Sequence, residues 1–354
     1  MITNMNNKNP LISIIILNYN SGEYLSDCIS SIFASSYTNI EVLVVDNNSN
    51  DDSHFICKNK FPKIILIENE KNLGYCEGNN VGIRIAKGEF IVILNPDTIV
   101  ESSWLRELLK AYRQLGDGLY QPKILSMRDK HILQSTGNMI QIFGFGFARD
   151  KGISDNYQRN KIEKIGYASG TCLFTSSLIL HKLELFDPFL FLYHDDLDIG
   201  WRGAQIGICS YYVPLSVIYH AESYNLKWSA KKFFWLERNR RYCLLTHYST
   251  RTYQKMLPCL ILTEIMIWIF YISKGFIMSK IRAEIEILKN RNIIKKRFRE
   301  IESKKIIPDI KLMNLFTNTI HVPTNVSNGI LNNLFNRILS YLGEKSKNSI
   351  LKQR

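Results

Sequence analysis

Short apolar runs alternate with amphipathic stretches over the amino-terminal part of the chain. The runs at residues 11–17, 40–45 and 90–94 are rich in isoleucine, valine and leucine and show no polar alternation. This composition is typical of strands buried on both faces, and residues 64–68 predict a shorter strand. Strands separated by helical stretches at this spacing predict βαβ units, and therefore an α/β fold with a mostly parallel central sheet and flanking helices.

Each of the three long runs ends in a polar cluster, which is Asn18-Tyr19-Asn20, Asp46-Asn47-Asn48 or Asn95-Pro96-Asp97. Pro96 cannot donate to a strand ladder, so the strand ends there and Asp97 emerges at its carboxyl end. Ligands of open α/β sheets bind in the crevice outside those ends, so the three clusters share one edge of the sheet. Amides, carboxylates and a tyrosine suit a nucleotide, and Asp97 suits a divalent cation held against its diphosphate. The alternative is an ordinary Asn-Pro-Asp turn.

Two common phosphate-binding signatures are absent from the sequence. No G-x-G-x-x-G follows the first strand, which disfavours a dinucleotide-dependent dehydrogenase, and no G-x-x-x-x-G-K-[ST] occurs, which disfavours a P-loop NTPase. A sugar nucleotidyltransferase of the same fold class stays an alternative. It would normally carry a glycine-rich, lysine-containing loop after the first strand, and the sequence Asn-Tyr-Asn-Ser-Gly at residues 18–22 disfavours it.

The net charge of +13 is concentrated in the carboxyl-terminal part of the chain. From Lys231 onward there are 24 of the 45 Lys and Arg residues but only 8 of the 32 Asp and Glu residues. Residues 257–273 are apolar with Glu264 as the one charge, and apolar positions then recur at helical spacing up to a basic cluster at residues 295–299. This pattern predicts helices that attach to an anionic membrane surface. Nucleic acid is disfavoured as a partner, because a nucleic-acid binder does not need the apolar run.

The apolar segment approaches the length of a membrane span, but Glu264 and Lys274 make a full crossing marginal. Whether it spans the membrane or lies on it stays open. The seven cysteines are scattered singly without a C-x-x-C pair, which indicates reduced thiols in a cytosolic setting. Residues 1–10 are polar, which predicts no signal peptide. We therefore predict a location at the cytoplasmic face of the cell membrane.

Several ordered motifs resemble those of the family 2 glycosyltransferases. They are Ile-Ile-Ile-Leu-Asn-Tyr-Asn at 14–20, Val-Val-Asp-Asn-Asn-Ser at 44–49, Asn-Leu-Gly-Tyr at 72–75 with Gly-Asn-Asn-x-Gly at 78–82, and Leu-Asn-Pro-Asp at 94–97. The likeness is strongest to the rhamnosyltransferase-like branch of polysaccharide synthesis, over roughly residues 11–250. It implies the Rossmann-like GT-A fold. It also implies an inverting hexosyl- or deoxyhexosyltransferase that uses a UDP- or dTDP-linked sugar donor and a lipid-linked or nascent glycan acceptor.

The same resemblance implies roles for the polar clusters. Asn20 and Asp46 would contact the base and the ribose, and Asp97 would bind Mg²⁺ or Mn²⁺. The commoner metal motif of the family is Asp-x-Asp, but Asn95 stands at its first position. Because an amide oxygen is a weaker ligand for a hard cation than a carboxylate, Asn95 is expected at the ribose or at a metal-bound water. The complete predicted nucleotide-binding set is Asn18, Asn20, Asp46, Asn48, Asn72, Gly74, Asn79 and Asn95.

Three carboxylates occur within four positions in the sequence His-Asp-Asp-Leu-Asp at residues 194–198. Like charges on one turn raise each other's pKa, which suits a proton acceptor. Acidic residues at a helix N-terminus are also common for purely structural reasons. The stretch resembles the Glu-Asp-x-Asp loop of the family, with Asp195 at the Glu position and Asp196 at the general base. We predict both as catalytic residues.

Four further residues are candidates for metal, phosphate or acceptor contacts. His220 ends a strand where the family often has a histidine at the metal or diphosphate, although a lone histidine is more often structural. Arg238 resembles part of an Arg-Asn-Arg helix of this branch and could pair with the leaving diphosphate, or it could belong to a solvated or membrane-facing basic face. Gly170 lies in a stretch that resembles the acceptor-side strand, where glycine allows close approach. Trp201 follows the acidic turn and completes the set.

The predicted organisation has four parts. These are a polar tail at residues 1–10, a GT-A domain at 11–250, apolar and basic membrane-associating helices at 251–305, and a tail with an amphipathic helix at 306–354. The enzyme hypothesis competes with a non-catalytic membrane-bound scaffold that binds a glycan or a nucleotide sugar. Asn95 in place of a carboxylate is the one feature that favours this scaffold.

Overall fold

The computed structural model describes residues 9–156, 158–222, 229–321 and 329–351, so most of the predicted amino-terminal tail lies outside the described residues. The strands are β1 (Ile12–Asn18), β2 (Ile40–Asp46), β3 (Ile65–Glu68), β4 (Phe90–Leu94), β5 (Thr98–Val100), β6 (Gly118–Ser126), β7 (Leu133–Ser135), β8 (Asn138–Ile140), β9 (Gly146–Ala148), β10 (Glu163–Ile165), β11 (Cys172–Ser176) and β12 (Cys209–His220). The helices are α1 (Glu23–Phe33), α2 (Ser53–Lys60), α3 (Gly74–Ile85), α4 (Trp104–Leu115), α5 (Ser177–Lys182), α6 (Asp195–Gln205), α7 (Ala230–His247), α8 (Thr250–Ser273), α9 (Ile277–Lys289), α10 (Arg291–Lys304), α11 (Asp309–Met313) and α12 (Gly329–Leu351).

A mixed sheet forms the centre of the molecule, in the order β10-β12-β6-β11-β4-β1-β2-β3. The strands β3, β2, β1 and β4 are parallel, as are β6 and β12, whereas β11 runs antiparallel to both of its neighbours. The chain winds from β1 outward to β2 and β3, and then returns to place β4 on the other side of β1. This reversal opens a crevice at the carboxyl ends of β1 and β4. The predicted α/β architecture is confirmed.

Both faces of the parallel strands are buried, as their unbroken apolar composition predicts. Side chains alternate between faces along a strand, so Ile14 and Ile16 join a core with α1 and α4, whereas Ile15 joins a second core with α3, α6 and α7. Helices therefore pack against both faces of the sheet through these two cores. The carboxyl ends of the strands therefore form a rigid base for a site.

The end of the fourth strand differs in detail from the sequence-based expectation. Strand β4 ends at Leu94, and Asp97 lies just before the short strand β5 rather than at the end of β4. Strand β5 pairs antiparallel with the end of β12, where Thr98 lies opposite His220. The backbone N–H of Ala221 also donates to the carbonyl of Asp97 at 3.0 Å. Because Pro96 interrupts the ladder, the chain turns and brings Asp97 next to His220.

The carboxyl-terminal helices pack on the core rather than trailing from it. Leu312 and Met313 of α11 are buried, and the ring of Phe316 lies edge-on to Trp201 with centroids 5.0 Å apart. The backbone N–H groups of Ile306 and Ile307 both donate to the carbonyl of Gln205 at the end of α6. The amphipathic helix predicted near the carboxyl terminus is α12, which runs from Gly329 to Leu351. The predicted domain boundaries stay predictions.

Among the residues that the structure describes, one helix passes the length and composition test for a membrane span. It is α8, which is also partly buried against the rest of the chain. The same test is met by core helices of proteins that never enter a membrane.

Gly200 determines how closely α6 approaches the segment before β11. A Cβ at this position would lie 2.3 Å from the Cβ of Tyr167, whereas a Cβ at Gly203 on the same helix would lie 3.3 Å from the carbonyl oxygen of Ile208. We expect Gly200→Ala to lower the free energy of unfolding by about 1–3 kcal/mol, because the overpacked helix must shift. Gly203→Ala is the matched control and should change it much less. Equal urea-unfolding midpoints for the two variants would contradict this packing.

Candidate active site

A cleft of about 980 Å³ opens at the carboxyl ends of β1 and β4. Its lining includes Tyr19 of the loop after β1, Tyr24 of α1, and Asp195 and Asp196 at the start of α6. Asp97 and His220 also line it. The crevice predicted from the strand ends is therefore present, and residues far apart in the sequence meet in it.

The structure brings nine of the predicted site residues to the cleft and places six elsewhere. Those that line the cleft are Asn20, Asn72, Gly74, Asn95, Asp97, Gly170, Asp195, Asp196 and His220. Those outside its lining are Asn18, Asp46, Asn48, Asn79, Trp201 and Arg238.

Asn18 and Asp46 form a polar layer beneath the cleft. Both side chains are buried, and the Asn18 Nδ2 donates to Asp46 Oδ1 at 2.8 Å. The backbone N–H of Ser49 donates to the other oxygen, Asp46 Oδ2, at 2.9 Å. The pair ties the end of β1 to the end of β2, so that Asn20 can accept a hydrogen bond from the Asn50 backbone at 2.7 Å. A direct contact of Asp46 with a ribose stays a prediction.

Asn47 was not predicted as a site residue, yet its amide organises the adjoining loop. Its Nδ2 donates to Asn72 Oδ1 at 3.0 Å and to the carbonyl of Gly74 at 3.1 Å, and its Oδ1 accepts from the Leu73 backbone. Of the two remaining members of the predicted set, Asn48 lies exposed on this loop, whereas Asn79 is buried in α3 and donates to the carbonyl of Tyr75. The Asn47 amide therefore links the end of β2 to the start of α3.

The two predicted catalytic carboxylates lie at the N-terminus of α6. The Gly170 backbone donates to Asp196 Oδ2 at 3.0 Å and the Leu197 backbone to Asp196 Oδ1 at 2.8 Å. Burial raises the pKa of Asp196 to about 6, although these two N–H donors pull it downward. Burial and the neighbouring charge of Asp196 raise the pKa of Asp195 well above its usual range. As the pH rises, Asp196 ionises first, so it is the better placed to accept a proton near neutrality.

The third carboxylate of the acidic stretch has a structural role. Asp198 is fully buried and accepts two hydrogen bonds from Arg202, at 2.9 Å from Nε and 2.5 Å from Nη2. Its other oxygen lies 3.2 Å from His247 Nε2. The Arg202 guanidinium and the imidazole hold the pKa of Asp198 far below its usual range. Asp198 is therefore neutralised inside the protein, whereas Asp195 and Asp196 line the cleft.

The turn that leads into α6 is strained. Phe191, Tyr193 and His194 have φ angles of 63°, 67° and 61°, in a left-handed region that non-glycine residues rarely adopt. The Asn239 amide of α7 holds the turn by donating to the carbonyls of Leu190, Leu192 and Tyr193 at 2.7–3.0 Å.

The start of α3 holds the same turn from the other side. The backbone N–H of Tyr75 donates to the carbonyl of Phe191 at 2.6 Å. Gly74 permits this approach, because a Cβ there would lie 2.5 Å from the Phe191 ring. The tyrosine hydroxyl donates to the carbonyl of Gly170, whose N–H contacts Asp196. The predicted catalytic carboxylates are therefore positioned by residues from three other stretches of the chain, at 74–75, 170 and 239.

Arg238 and Trp201 do not reach the cleft, contrary to the prediction for them. Arg238 is buried, donates to the carbonyls of Phe189 and Leu190, and stacks on the ring of Trp235 with 4.4 Å to its centroid. It neither faces a diphosphate nor belongs to a solvated face. Trp201 is fully buried, because it lies five or six positions beyond the catalytic pair and so is turned roughly 140–240° away around α6.

The distance between Asp97 and His220 is compatible with two ligands of one divalent cation. Asp97 Oδ1 lies 3.2 Å from His220 Nε2, and ligands about 2.1 Å from an octahedral ion lie about 3 Å apart. Gln134, which the sequence did not single out, sets the imidazole tautomer. Its Nε2 donates to the His220 carbonyl, so its Oε1 must accept from His220 Nδ1 at 2.8 Å. In a neutral imidazole this leaves the Nε2 lone pair facing the carboxylate, where a shared cation is the favourable occupant.

The charges around the cleft also fit a bound cation. Among the described residues that line it, seven are acidic and two are lysines, so the cleft would repel a nucleoside diphosphate by itself. The acidic residues are Glu23, Asp27, Asp51, Asp97, Asp195, Asp196 and Glu222, and the lysines are Lys151 and Lys232.

Two other groups of candidate ligands lie within metal-binding distance of one another. They are Asp198 with Cys243 and His247, and Glu237 with Glu264 and Glu284. Arg202 forms an ion pair with Asp198 of the first group, and Arg240 and Lys280 form ion pairs with Glu237 of the second. Protein cations therefore already neutralise both groups, and Asp97 with His220 is the better donor set.

Comparison with known proteins identifies the amino-terminal half of the chain. Residues 13–183 match the model of the family described as "Glycosyl transferase family 2". The chain is 34% identical to the glycosyltransferase GlyG of Streptococcus pneumoniae over 110 residues, which are 30% of this chain and 36% of GlyG. It is 25% identical to the low-salt glycan biosynthesis hexosyltransferase Agl10 of Haloferax volcanii over 56% of this chain and 62% of that protein. The chain thus spans less than two thirds of either relative.

A third relative is covered more fully. The N-acetylglucosaminyl-diphospho-decaprenol L-rhamnosyltransferase of Mycobacterium tuberculosis is 23% identical over 61% of this chain and 77% of its own length. Among solved structures, GalNAc-T7 superposes with a TM-score of 0.52 at 17% identity, covering 60% of this chain and 43% of that chain. Staphylococcus aureus TarS superposes with a TM-score of 0.50 at 15% identity, covering 96% and 88%. These structures confirm the predicted GT-A fold.

The clamp formed by Asn239 can be tested directly. Asn239→Ala removes the amide that donates to the carbonyls of Leu190, Leu192 and Tyr193, so we expect the free energy of unfolding to fall by about 2–4 kcal/mol. Amide hydrogen exchange at residues 190–194 should accelerate more than elsewhere, because the strained turn loses its restraint.

Asn290→Ala is the control for this test, since its amide bonds only to Glu286 within the same helix end. Unchanged exchange at residues 190–194 in the Asn239 variant would show that the turn is held by other contacts.

Proposed function

Residues 13–183 form a glycosyltransferase family 2 domain, and from this we propose that the protein is an inverting glycosyltransferase. Its donor is a sugar linked to UDP or dTDP, and its acceptor is a lipid-linked or nascent glycan of a cell-surface polysaccharide or glycoconjugate. The observation that carries the proposal is that two different pairs of side chains line the same cleft. Asp97 Oδ1 lies 3.2 Å from His220 Nε2, and the buried Asp195 and the half-buried Asp196 are neighbouring carboxyl groups that both have a raised pKa.

Asp97 and His220 would hold Mg²⁺ or Mn²⁺. The bound cation would neutralise the donor diphosphate and stabilise its charge as it leaves. Gln134 holds the imidazole with Nε2 directed at Asp97, and Asn95 lines the same part of the cleft. Support comes from the neighbour GalNAc-T7, whose structure was solved with UDP, GalNAc and Mn²⁺.

The donor fits the wall formed by the loop after β1. Tyr19 and Tyr24 offer aromatic faces to a base, and Asn20 and Asn72 offer amides to the base and ribose. Structures of TarS in complex with UDP and with UDP-GlcNAc support a uridine nucleotide as the first candidate. The donor sugar would then extend towards α6.

Asp196 would act as the general base. Its carboxylate accepts the acceptor hydroxyl proton while the oxygen forms a bond to the anomeric carbon, and the bond from that carbon to the diphosphate oxygen breaks on the opposite face. The sugar leaves with inverted configuration and the nucleoside diphosphate carries away the electron pair. The Gly170 and Leu197 N–H groups fix the carboxylate, and Asp195 retains its proton beside it.

The proposed acceptor and location follow from a relative and from the carboxyl-terminal helices. A rhamnosyltransferase named for an N-acetylglucosaminyl-diphospho-decaprenol acceptor aligns with 61% of this chain. The apolar and basic carboxyl-terminal part would hold the enzyme at the cytoplasmic face of the cell membrane, where such lipids can be reached.

Nucleotide binding tests the donor site. Calorimetric titration with a panel of nucleoside diphosphates should detect one or two that bind in Mn²⁺ and bind at least tenfold more weakly without it. Asp97→Ala should abolish this metal dependence, and Gln134→Met should weaken Mn²⁺ affinity about 10–100-fold because the imidazole loses its orienting partner. His131→Ala, on an exposed loop outside the cleft, is the control. Binding of none of the nucleotides under either condition would sink the proposal.

The pH dependence of transfer tests the base. With the donor identified by titration, kcat/KM should rise with pH through an inflection near pH 6, because protonated Asp196 cannot accept a proton. Asp196→Asn should lower kcat about 10²–10⁴-fold and leave nucleotide affinity unchanged. Asp129→Asn, on an exposed loop, should leave both unchanged. Wild-type turnover in Asp196→Asn would show that another group takes the proton.

A further inference from the structure

Helix α8 has two chemically distinct faces. Its outer face carries six large apolar side chains that are between 42% and 60% exposed, and five of them follow one another at helical spacing of three or four residues. The five are Leu257, Ile261, Ile265, Ile269 and Ile272, and the sixth is Leu262. Its inner face is buried through Cys259, Leu260, Thr263, Ile267 and Tyr271. An apolar stripe of this length on an outer surface marks an interaction site.

A buried ionic cluster fixes the inner face of α8. Glu264 accepts hydrogen bonds from Arg240 of α7 and from Lys280 of α9, the latter at 2.8 Å. Lys280 is completely buried and also bonds to Glu237 and Glu284. Although burial alone would raise it, the charges of Arg240, Arg241 and Lys280 lower the pKa of Glu264 to about 2.

This cluster is incompatible with a bilayer crossing by α8. A crossing would take Glu264 into hydrocarbon and either break its pairs or drag Arg240 and Lys280 along, and each buried charge there is costly. Arg240 adjoins Asn239, whose amide holds the turn before the catalytic carboxylates. Moving α7 into lipid would therefore dismantle the proposed active site.

The next two helices continue the pattern of the outer face. Met278, Ile285 and Leu288 of α9 and Ile293 of α10 are exposed apolar residues. Exposed basic residues lie among and beside them, namely Arg282, Lys289, Arg291, Lys295 and Lys296. An apolar surface bordered by cations is complementary to an anionic bilayer, in which chains meet the apolar groups and headgroups meet the cations.

We propose that the exposed apolar side chains of α8 and α9, together called the lipid face, bind in the plane of an anionic lipid bilayer and that α8 does not cross it. The outer face enters the headgroup and acyl boundary, while the inner face stays on the ionic cluster. The proposal stands on the surface and the cluster alone.

A consequence for the acceptor rests on the proposed function. Helix α7 lines the cleft with Lys232 and Leu236 and reaches the ionic cluster one turn later with Arg240, about 6 Å further along its axis. Packed helices lie about 8–10 Å apart, so the cleft wall lies on the order of 20 Å from the lipid face. A glycan on a lipid diphosphate could therefore reach Asp196 while its lipid stays in the bilayer.

Vesicle binding by the full chain tests the lipid face. The protein should sediment with vesicles of phosphatidylcholine and phosphatidylglycerol, and much less with phosphatidylcholine alone. Ile265→Asp/Ile269→Asp should reduce the bound fraction tenfold or more. Leu178→Asp/Leu215→Asp is the matched control, since both leucines are exposed on other elements. Nucleotide titration of the same samples reports whether the protein is folded and whether the proposed donor site is intact. A variant that loses vesicle binding but keeps nucleotide binding therefore separates the lipid face from the proposed donor site.

Labelling at both ends of α8 distinguishes lying from crossing. Arg251→Cys and Ser273→Cys place thiols at exposed ends of the helix, and all seven native cysteines are buried or partly buried. A membrane-impermeant maleimide added outside sealed vesicles should label both positions. Protection of only one of them would show a crossing and overturn the proposal.

Two other results would also overturn it. One is unchanged vesicle binding by Ile265→Asp/Ile269→Asp. The other is a dimer in light scattering that the same variant separates, together with no binding to vesicles, which would make the face a contact between two copies of the chain.

Discussion

The backbone turn before α6 depends on hydrogen bonds from outside itself. Three non-glycine residues of this turn have positive φ angles that an isolated chain would avoid. They are Phe191, Tyr193 and His194. The Asn239 amide donates hydrogen bonds to three carbonyls in this region. At the start of α3, the backbone N–H of Tyr75 donates to the carbonyl of Phe191. The turn ends at Asp195 and Asp196, so the position of both carboxylates is a consequence of this clamp. Strain that is held at a functional site by its surroundings is a common form of preorganisation.

Helix α7 connects the three functional regions of the molecule. Lys232 and Leu236 line the cleft, Asn239 holds the catalytic turn, and Arg240 pairs with Glu264 of α8. These contacts fall within three turns of one helix. A rigid helix that serves all three regions explains why the carboxyl-terminal part packs on the core instead of hanging from it. The ionic cluster joins α8 to this helix. This positioning role does not depend on how much the cluster stabilises the fold, and buried ion pairs are weak evidence for stability by themselves.

The cleft is acidic although its proposed ligand is an anion. Asp97 and the ionised Asp196 would repel a diphosphate, and Lys151 and Lys232 do not balance the acidic residues of the cleft. A cation between Asp97 and His220 resolves this conflict, and Gln134 orients the histidine for it. In the proposed mechanism two tasks are separated, because a cation held by Asp97 and His220 would stabilise the leaving group and Asp196 would accept the proton. Under this proposal Asn95 does not need to be a carboxylate.

Local sequence patterns predicted the parallel strands, the crevice at their ends and the acidic pair that lines it. The apolar composition of β1, β2 and β4 required burial on both faces, and Pro96 required the strand to end before Asp97, because both effects act within a few residues. The roles of Asn239 and Gln134, and the burial of Arg238 and Trp201, were decided by tertiary structure. Asn239 meets carbonyls 46–49 positions away, and Gln134 meets His220 across 86 positions. No local pattern encodes such a meeting, because it depends on the packing of α7 and β12 against segments that are remote in the sequence. The two faces of α8 are a further example. Its composition predicted an apolar helix, whereas the contacts of Glu264 with Arg240 and Lys280 determine which side faces the protein and which side is exposed to the proposed lipid.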